Sequence, residues 1–165
     1  MTFARIENGN VVEYPVYEGD IKLRFPNTSF TFPFSPPEGF VPVTDVTPPA
    51  INHEQNLVEE FPIFSDGEWK RNWTIVSATP EQIADRTAVK EKQVRAQRNF
   101  RLAATDWTQS NDSPLNAEAK SAWAFYREVL RMVPEQPGFP WNVSWPPAPG
   151  GQEPTPPEII PPIPR

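Results

Sequence analysis

The sequence predicts an α+β fold: a small N-terminal antiparallel β-sheet, an antiparallel helical hairpin and an extended Pro-rich C-terminal segment. Three observations predict it. Short apolar runs broken at Asn8-Gly9 and Asp66-Gly67 occupy the first half of the 165 residues. From Pro80 onward apolar residues recur at the three-and-four spacing of amphipathic helices. Beyond Val133, Pro accounts for twelve of the last 32 residues. The corresponding boundaries are a β-rich part over 1–78, a helical hairpin over 79–133 and a Pro-rich tail over 134–165.

Thr2 to Val16 predicts the first hairpin, because Asn8-Gly9 between two strand-forming runs supplies the positive φ angles that a type I′ turn needs. Pro15 lacks an N–H for a ladder, which puts the second strand on an edge. Ile21 to Pro26 is expected as a further strand with Ile21, Leu23 and Phe25 on one face. Phe30 to Pro49, dense in Phe and Pro, is expected to run extended and outside the middle of a sheet. Either it wraps its own sheet, or Phe32 and Phe34 belong to a strip that docks a partner.

Residues 56–77 supply the second hairpin about Asp66-Gly67, with Trp69, Trp73 and Ile75 set to stack against Phe61 and Ile63. Together these runs predict four or five antiparallel strands. So few residues bury one face well, and the other needs further cover.

The helical part starts at Thr79-Pro80-Glu81-Gln82, a capping-box pattern with Pro at the first helical position. A helix from Pro80 to Ala104 is about 37 Å long at 1.5 Å per residue. Val89, Ala96, Phe100, Ala103 and Trp107 form one stripe, interrupted by Gln93. Ala119, Ala122, Trp123, Tyr126, Val129, Leu130 and Val133 form another, and the two stripes are expected to zip into an antiparallel pair. The row Ile83, Thr87, Lys90, Val94 and Gln97 is too polar for a self-sufficient coiled coil, so that half of the helix either projects into solvent or is covered by another chain. Asp106 and Asp112 are expected to cap the turn between the helices, and the 19 residues after Pro146 to lie outside the fold.

Arg98-Asn99, Leu102, Asp106-Trp107-Thr108-Gln109, Asp112, Trp123, Tyr126-Arg127, Leu130-Arg131, Gly138-Phe139-Pro140 and Trp145-Pro146 resemble the signature of the tailed-phage tail assembly chaperone family. The resemblance covers about a third of the chain, and Ser110-Asn111 stands where the pattern often has Leu-Pro. It implies a tail or morphogenesis role, with tail-fibre or baseplate proteins as partners and a place in the virion tail after assembly in the host cytoplasm. Two roles are compatible with it. The favoured expectation is a non-enzymatic adaptor that stays in the virion; the alternative is a transient tail or tail-fibre assembly chaperone. Self-association is also allowed.

Chemistry is sparse. There is no Cys and one His, His53, so thiol chemistry, a Ser-His-Asp triad and a zinc site have no basis. Asp106, Thr108, Ser110 and Asp112 imitate the start of a calcium loop, but Asn111 replaces its glycine and Ala117 its glutamate. No cofactor, small-molecule substrate or membrane span is expected, since no apolar run reaches the roughly 20 residues that spanning takes. The N-terminal MTFARIENGN has no signal-peptide pattern.

Net charge is −6, and its distribution is uneven: residues 81–104 hold six basic and three acidic side chains between two acidic flanks. Cations spread around all sides of one helix make a poor phosphate track, so nucleic acid is not expected as a partner.

Candidate partner-binding residues are therefore Arg98, Arg101, Arg127 and Arg131 beside the carboxylates Asp106, Glu118 and Glu128, with the aromatic residues Trp123, Tyr126, Trp141, Trp145, Phe32 and Phe34. Core packing is the first expectation for Trp107, Trp123 and Tyr126. Pro161 to Pro164, followed by Arg165, has the spacing of ligands for aromatic grooves.

Overall fold

The computed structural model describes residues 1–151. It is α+β, with one five-stranded sheet and three α-helices among those residues. The chain forms two compact units, Met1–Thr79 and Pro80–Arg165. The Pro161–Pro164 pair and the apolar Ile159, Ile160 and Ile163 lie outside the described residues.

In the first unit, β1 (Thr2–Glu7) and β2 (Asn10–Tyr17) form an antiparallel hairpin. Asn8 at φ 51° and Gly9 at φ 77° supply the two left-handed residues of its turn. After β3 (Phe40–Thr44), strands β4 (Gln55–Ser65) and β5 (Glu68–Ser77) form the second hairpin. Its turn repeats the same geometry at Asp66, φ 54°, and Gly67, φ 84°. The strand order is β2-β1-β3-β5-β4, which leaves the Pro15-bearing strand on an edge.

Four sequence expectations are corrected here. Ile21 to Pro26 is not a strand. Residues Glu18–Arg24 form the short helix α1, whose Asp20 carboxylate accepts from the Tyr17 amide at 2.9 Å. Acidic Glu18 and Asp20 sit in its first turn and Lys22 and Arg24 in its last, as the helix dipole favours. Ile21 is buried, whereas Leu23 is 82% exposed. The alternation was real, but a run this short does not separate strand from helix.

Phe40–Thr44, expected outside the middle of a sheet, is its central strand. The reason lies in register: β3 runs antiparallel to β1 from Phe40 to Val43 and pairs with β5 only at Val43 and Thr44, past Pro42. That β3–β5 pairing is parallel, so the sheet is mixed and not wholly antiparallel. Finally, Trp69 faces Phe64, Trp73 faces Glu59 and Ile75 faces Leu57. A bulge between Glu60 and Ile63, at Pro62, shifts the frame that the sequence suggested.

The core of this unit is Phe3, Val16, Ile21 and Phe40, with Phe30 and Phe34 packed against it. Phe34 meets Phe3 edge-on with ring centroids 5.4 Å apart. The Phe-Pro strip therefore wraps its own sheet, with the Phe32 ring left fully in solvent. Although β2 and β4 are at opposite ends of the strand order, the Tyr14 hydroxyl of one donates to the Glu59 carboxylate of the other, so the sheet curls strongly.

The second unit begins with α2 (Pro80–Ala104), which starts at Pro80 as its sequence directs. A 3-10 turn over Asp106–Gln109 leads toward α3 (Ala117–Met132). Asn116 caps α3, its side-chain oxygen accepting from the Ala119 amide at 2.8 Å. A second 3-10 turn, Val133–Glu135, and turns through Trp141 follow, so the described part of the Pro-rich segment is folded and not a single extended strip.

The two predicted stripes do not zip together. On α3 the expected row holds, with Tyr126, Leu130 and Val133 buried. On α2 the covered row is instead Ile83, Thr87, Val94, Leu102 and the following Thr105, while Val89, Phe100 and Trp107 are 58%, 39% and 51% exposed. Polar anchoring decides between the two faces of α2. Ala148, beyond Pro146, is buried against Tyr126 and Leu130, so the fold extends past the point where the tail was expected to begin.

Candidate functional site

The junction between α2 and α3 is built from hydroxyls and one guanidinium. Thr105 donates its hydroxyl to the carbonyls of Arg101 and Leu102, at 2.8 and 3.0 Å, and ends the helix. Thr108 donates to the Thr105 carbonyl at 2.7 Å, and Ser110 to that of Trp107 at 2.8 Å. The Asp-Trp-Thr-Gln run is thus a turn, with Thr108 buried at its centre.

Arg127, itself buried, holds this turn to α3. One of its terminal nitrogens donates to the Leu102 carbonyl at 2.5 Å and to the Thr105 hydroxyl at 2.9 Å; the other pairs with the Asp106 carboxylate at 2.6 Å. Asp106 therefore anchors an arginine, where helix capping was expected. A planar fork with donors on both sides suits three acceptors at once.

Packed beside this fork, Tyr126, Leu130 and Ala148 form the core, with Leu102, Trp123 and Trp145 against them. Trp123 and Tyr126 meet edge-on at 5.5 Å. The segment after α3 then returns along α2. Arg101 lies over the Trp145 ring at 4.7 Å, Arg95 over that of Phe139 at 5.5 Å, and the Trp141 indole N–H donates to the Thr87 hydroxyl at 3.3 Å. Gln136 closes the loop, donating to the Ser144 carbonyl at 2.8 Å and accepting from its amide at 2.9 Å. These polar and cation–ring contacts select which side of α2 is covered. Among the described residues its more apolar side stays partly in solvent.

The candidate residues accordingly separate. Tyr126, Arg127, Trp123, Trp145 and Arg101 are gathered at the junction, where they shape the unit. Arg98 donates to the neighbouring Asn99 side chain at 2.8 Å. Arg131 is exposed on α3, and Trp141, 37% exposed, walls a shallow recess of about 360 Å³ with Val89, Lys90 and Gln93. Phe32 and Phe34 belong to the first unit. Sequence reasoning missed Phe125 and Met132, which are 69% and 49% exposed on the outer side of α3. Their seven-residue separation, two helical turns, was the signal.

No group of three or more His, Asp or Glu side chains that could hold a metal occurs among the described residues. No helix of those residues is long and apolar enough to cross a membrane.

Residues 91–150 match the family model described as phage tail assembly chaperone protein. The matched segment starts inside α2 and spans the Arg127 junction, α3 and the returning aromatic loop. Over these 60 of its 165 residues the chain is similar to proteins of phage tail assembly. No curated protein and no solved structure matches the chain.

Proposed function

From the match of residues 91–150 to the tail assembly chaperones, we propose that this protein is a transient, non-enzymatic assembly chaperone that binds a tail-fibre or baseplate protein in the host cytoplasm. The observation carrying this reading is that the matched helix α3 exposes Phe125 and Met132 on one face, next to Arg131. A pair of large apolar side chains left in water on one helix face, beside an arginine, offers a surface suited to a protein partner. In this reading Phe125, Met132, Arg131 and Trp141 touch the partner. Arg101, Trp123, Tyr126, Arg127 and Trp145 hold the surface in shape, and Phe32 offers a second contact on the first unit. Residues 152–165 of the Pro-rich tail lie outside the described residues, and the family description favours the departing role over residence in the virion.

Quantitative mass spectrometry of purified virions and of infected-cell lysate tests the proposal. A chaperone is absent from the virions and bound to a tail protein in the lysate. A fixed ratio to tail proteins in mature virions overturns it in favour of a resident adaptor.

A further inference from the structure

The apolar face of α2 is continuous. Val89, Gln93, Ala96, Phe100, Ala103 and Trp107 follow one another at steps of four and three, so they line one side of the helix as a seam. The last of them sits on the 3-10 turn that follows the helix, past Thr105. Among the described residues this seam is incompletely covered, and Val89, Phe100 and Trp107 keep 58%, 39% and 51% of their surface in solvent.

We propose that this face pairs with the same face of a second copy of the chain, as an antiparallel, two-fold symmetric helix pair centred between Ala96 and Phe100. Size and charge both select that arrangement. Antiparallel pairing sets each Phe100 against the small Ala96 of the other copy, and Trp107 against its Val89, so large side chains fall on small or medium ones at each end. Lys92, exposed on the flank of the seam, then comes opposite Asp106, whose side chain is 67% exposed with one oxygen on Arg127 and the other available. This contact occurs twice by symmetry.

A parallel pair is disfavoured on the same grounds. It stacks Phe100 on Phe100 and Ala96 on Ala96, and brings Arg86, seven residues before Gln93, against its own copy in the seam. Its helix dipoles are also aligned, whereas those of the antiparallel pair are opposed. Gln93, the one polar seam position, meets Ala103 in the antiparallel register. It weakens the pair and fixes its alignment.

The full chain is the sample for the test. Sedimentation equilibrium shows a dimer for the natural sequence and a monomer for Phe100→Glu, with unchanged helical circular dichroism because Phe100 is exposed in the single chain. Because the protein has no Cys, single nitroxide labels at Asn99→Cys and Glu81→Cys report direction. The antiparallel pair brings the two 99 labels together and holds the two 81 labels about 50 Å apart at 1.5 Å per residue. A monomeric natural chain, a dimer unaffected by Phe100→Glu, or short distances at both labels overturns the proposal. Capture of a tail protein is tested separately with Phe125→Glu on α3, and its outcome does not bear on the oligomeric state of the natural chain.

Discussion

Arg127 on α3 and Leu102 on α2 are joined by a 2.5 Å hydrogen bond from guanidinium to backbone carbonyl, which fastens the end of one helix to the middle of the other. The same guanidinium holds Thr105 and Asp106. Arg127→Met removes all three bonds and leaves the Leu102 carbonyl without this donor. The expected loss is about 3 kcal/mol, given that hydrogen bonds to charged groups each contribute roughly 1.5–3 and Asp106 can rehydrate. Arg127→Lys recovers only part of it, since an ammonium is a single point and not a fork. Urea denaturation of both variants measures the difference.

Tyr126 is 2% exposed and its hydroxyl has no hydrogen-bond partner among the described residues. Tyr126→Phe therefore keeps or raises the melting temperature, because it removes a buried polar group without opening a cavity. Leu130→Ala in the same cluster lowers stability by about 2–5 kcal/mol. Paired thermal melts distinguish this packed core from one in which the phenol matters.

The Tyr14 phenol is pushed up from 10.0 to about 12, by burial first and then by the hydrogen bond to Glu59. The fold favours the neutral, protonated form. Its contribution is thus complete below pH 10 and fades as pH climbs toward 12. Tyrosinate absorbance should show a late-titrating component that Tyr14→Phe removes, along with the corresponding part of the alkaline loss of stability.

Gly138 sits at φ 84°, and a Cβ placed there comes 3.1 Å from that of Asn142. Its carbonyl also accepts from the amides of Trp141 and Asn142, at 2.9 and 2.8 Å. Gly138→Ala is expected to cost more than about 1 kcal/mol. The loosened turn should show as increased quenching of tryptophan fluorescence, with Trp141 the reporter.

Phe125→Glu leaves melting within about 0.5 kcal/mol, since the ring is largely in water already. It weakens capture of the tail-protein partner from infected-cell lysate by tenfold or more, the effect of losing about 1.4 kcal/mol. Retained capture would move the contact away from this face of α3.

Both hairpin turns were legible because Asn-Gly and Asp-Gly state their backbone geometry locally, and the start of α2 was legible because Thr79-Pro80 does the same. What the sequence did not disclose was partnership. The seam Val89-Ala96-Phe100 was read correctly as apolar and then assigned to α3, when Arg127 and the aromatic residues after Gly138 use the more polar side of α2 instead. Cation–ring contacts such as Arg101 with Trp145 join residues 44 positions apart and leave no period in the chain. β3 was missed for a related reason. Pro42 argues against a central strand unless the parallel neighbour begins just beyond it, and no local signal says where that neighbour begins. At the candidate site the sequence picked out the aromatic residues that shape the junction, and passed over Phe125 and Met132, which sit among charged and small neighbours.

The parallel contact of β3 with β5 consists of two residue pairs, Val43 with Trp69 and Thr44 with Lys70. On one side of it lies the β2-β1-β3 ladder and on the other the β4–β5 hairpin, each carried by longer antiparallel registers. Around it are side-chain clasps: the Thr44 hydroxyl on Glu68 at 2.7 Å, Arg71 on Asp45 at 3.0 Å, and Tyr14 on Glu59. Under a pulling force the sheet is therefore expected to part along this line first, with each antiparallel ladder still paired within itself.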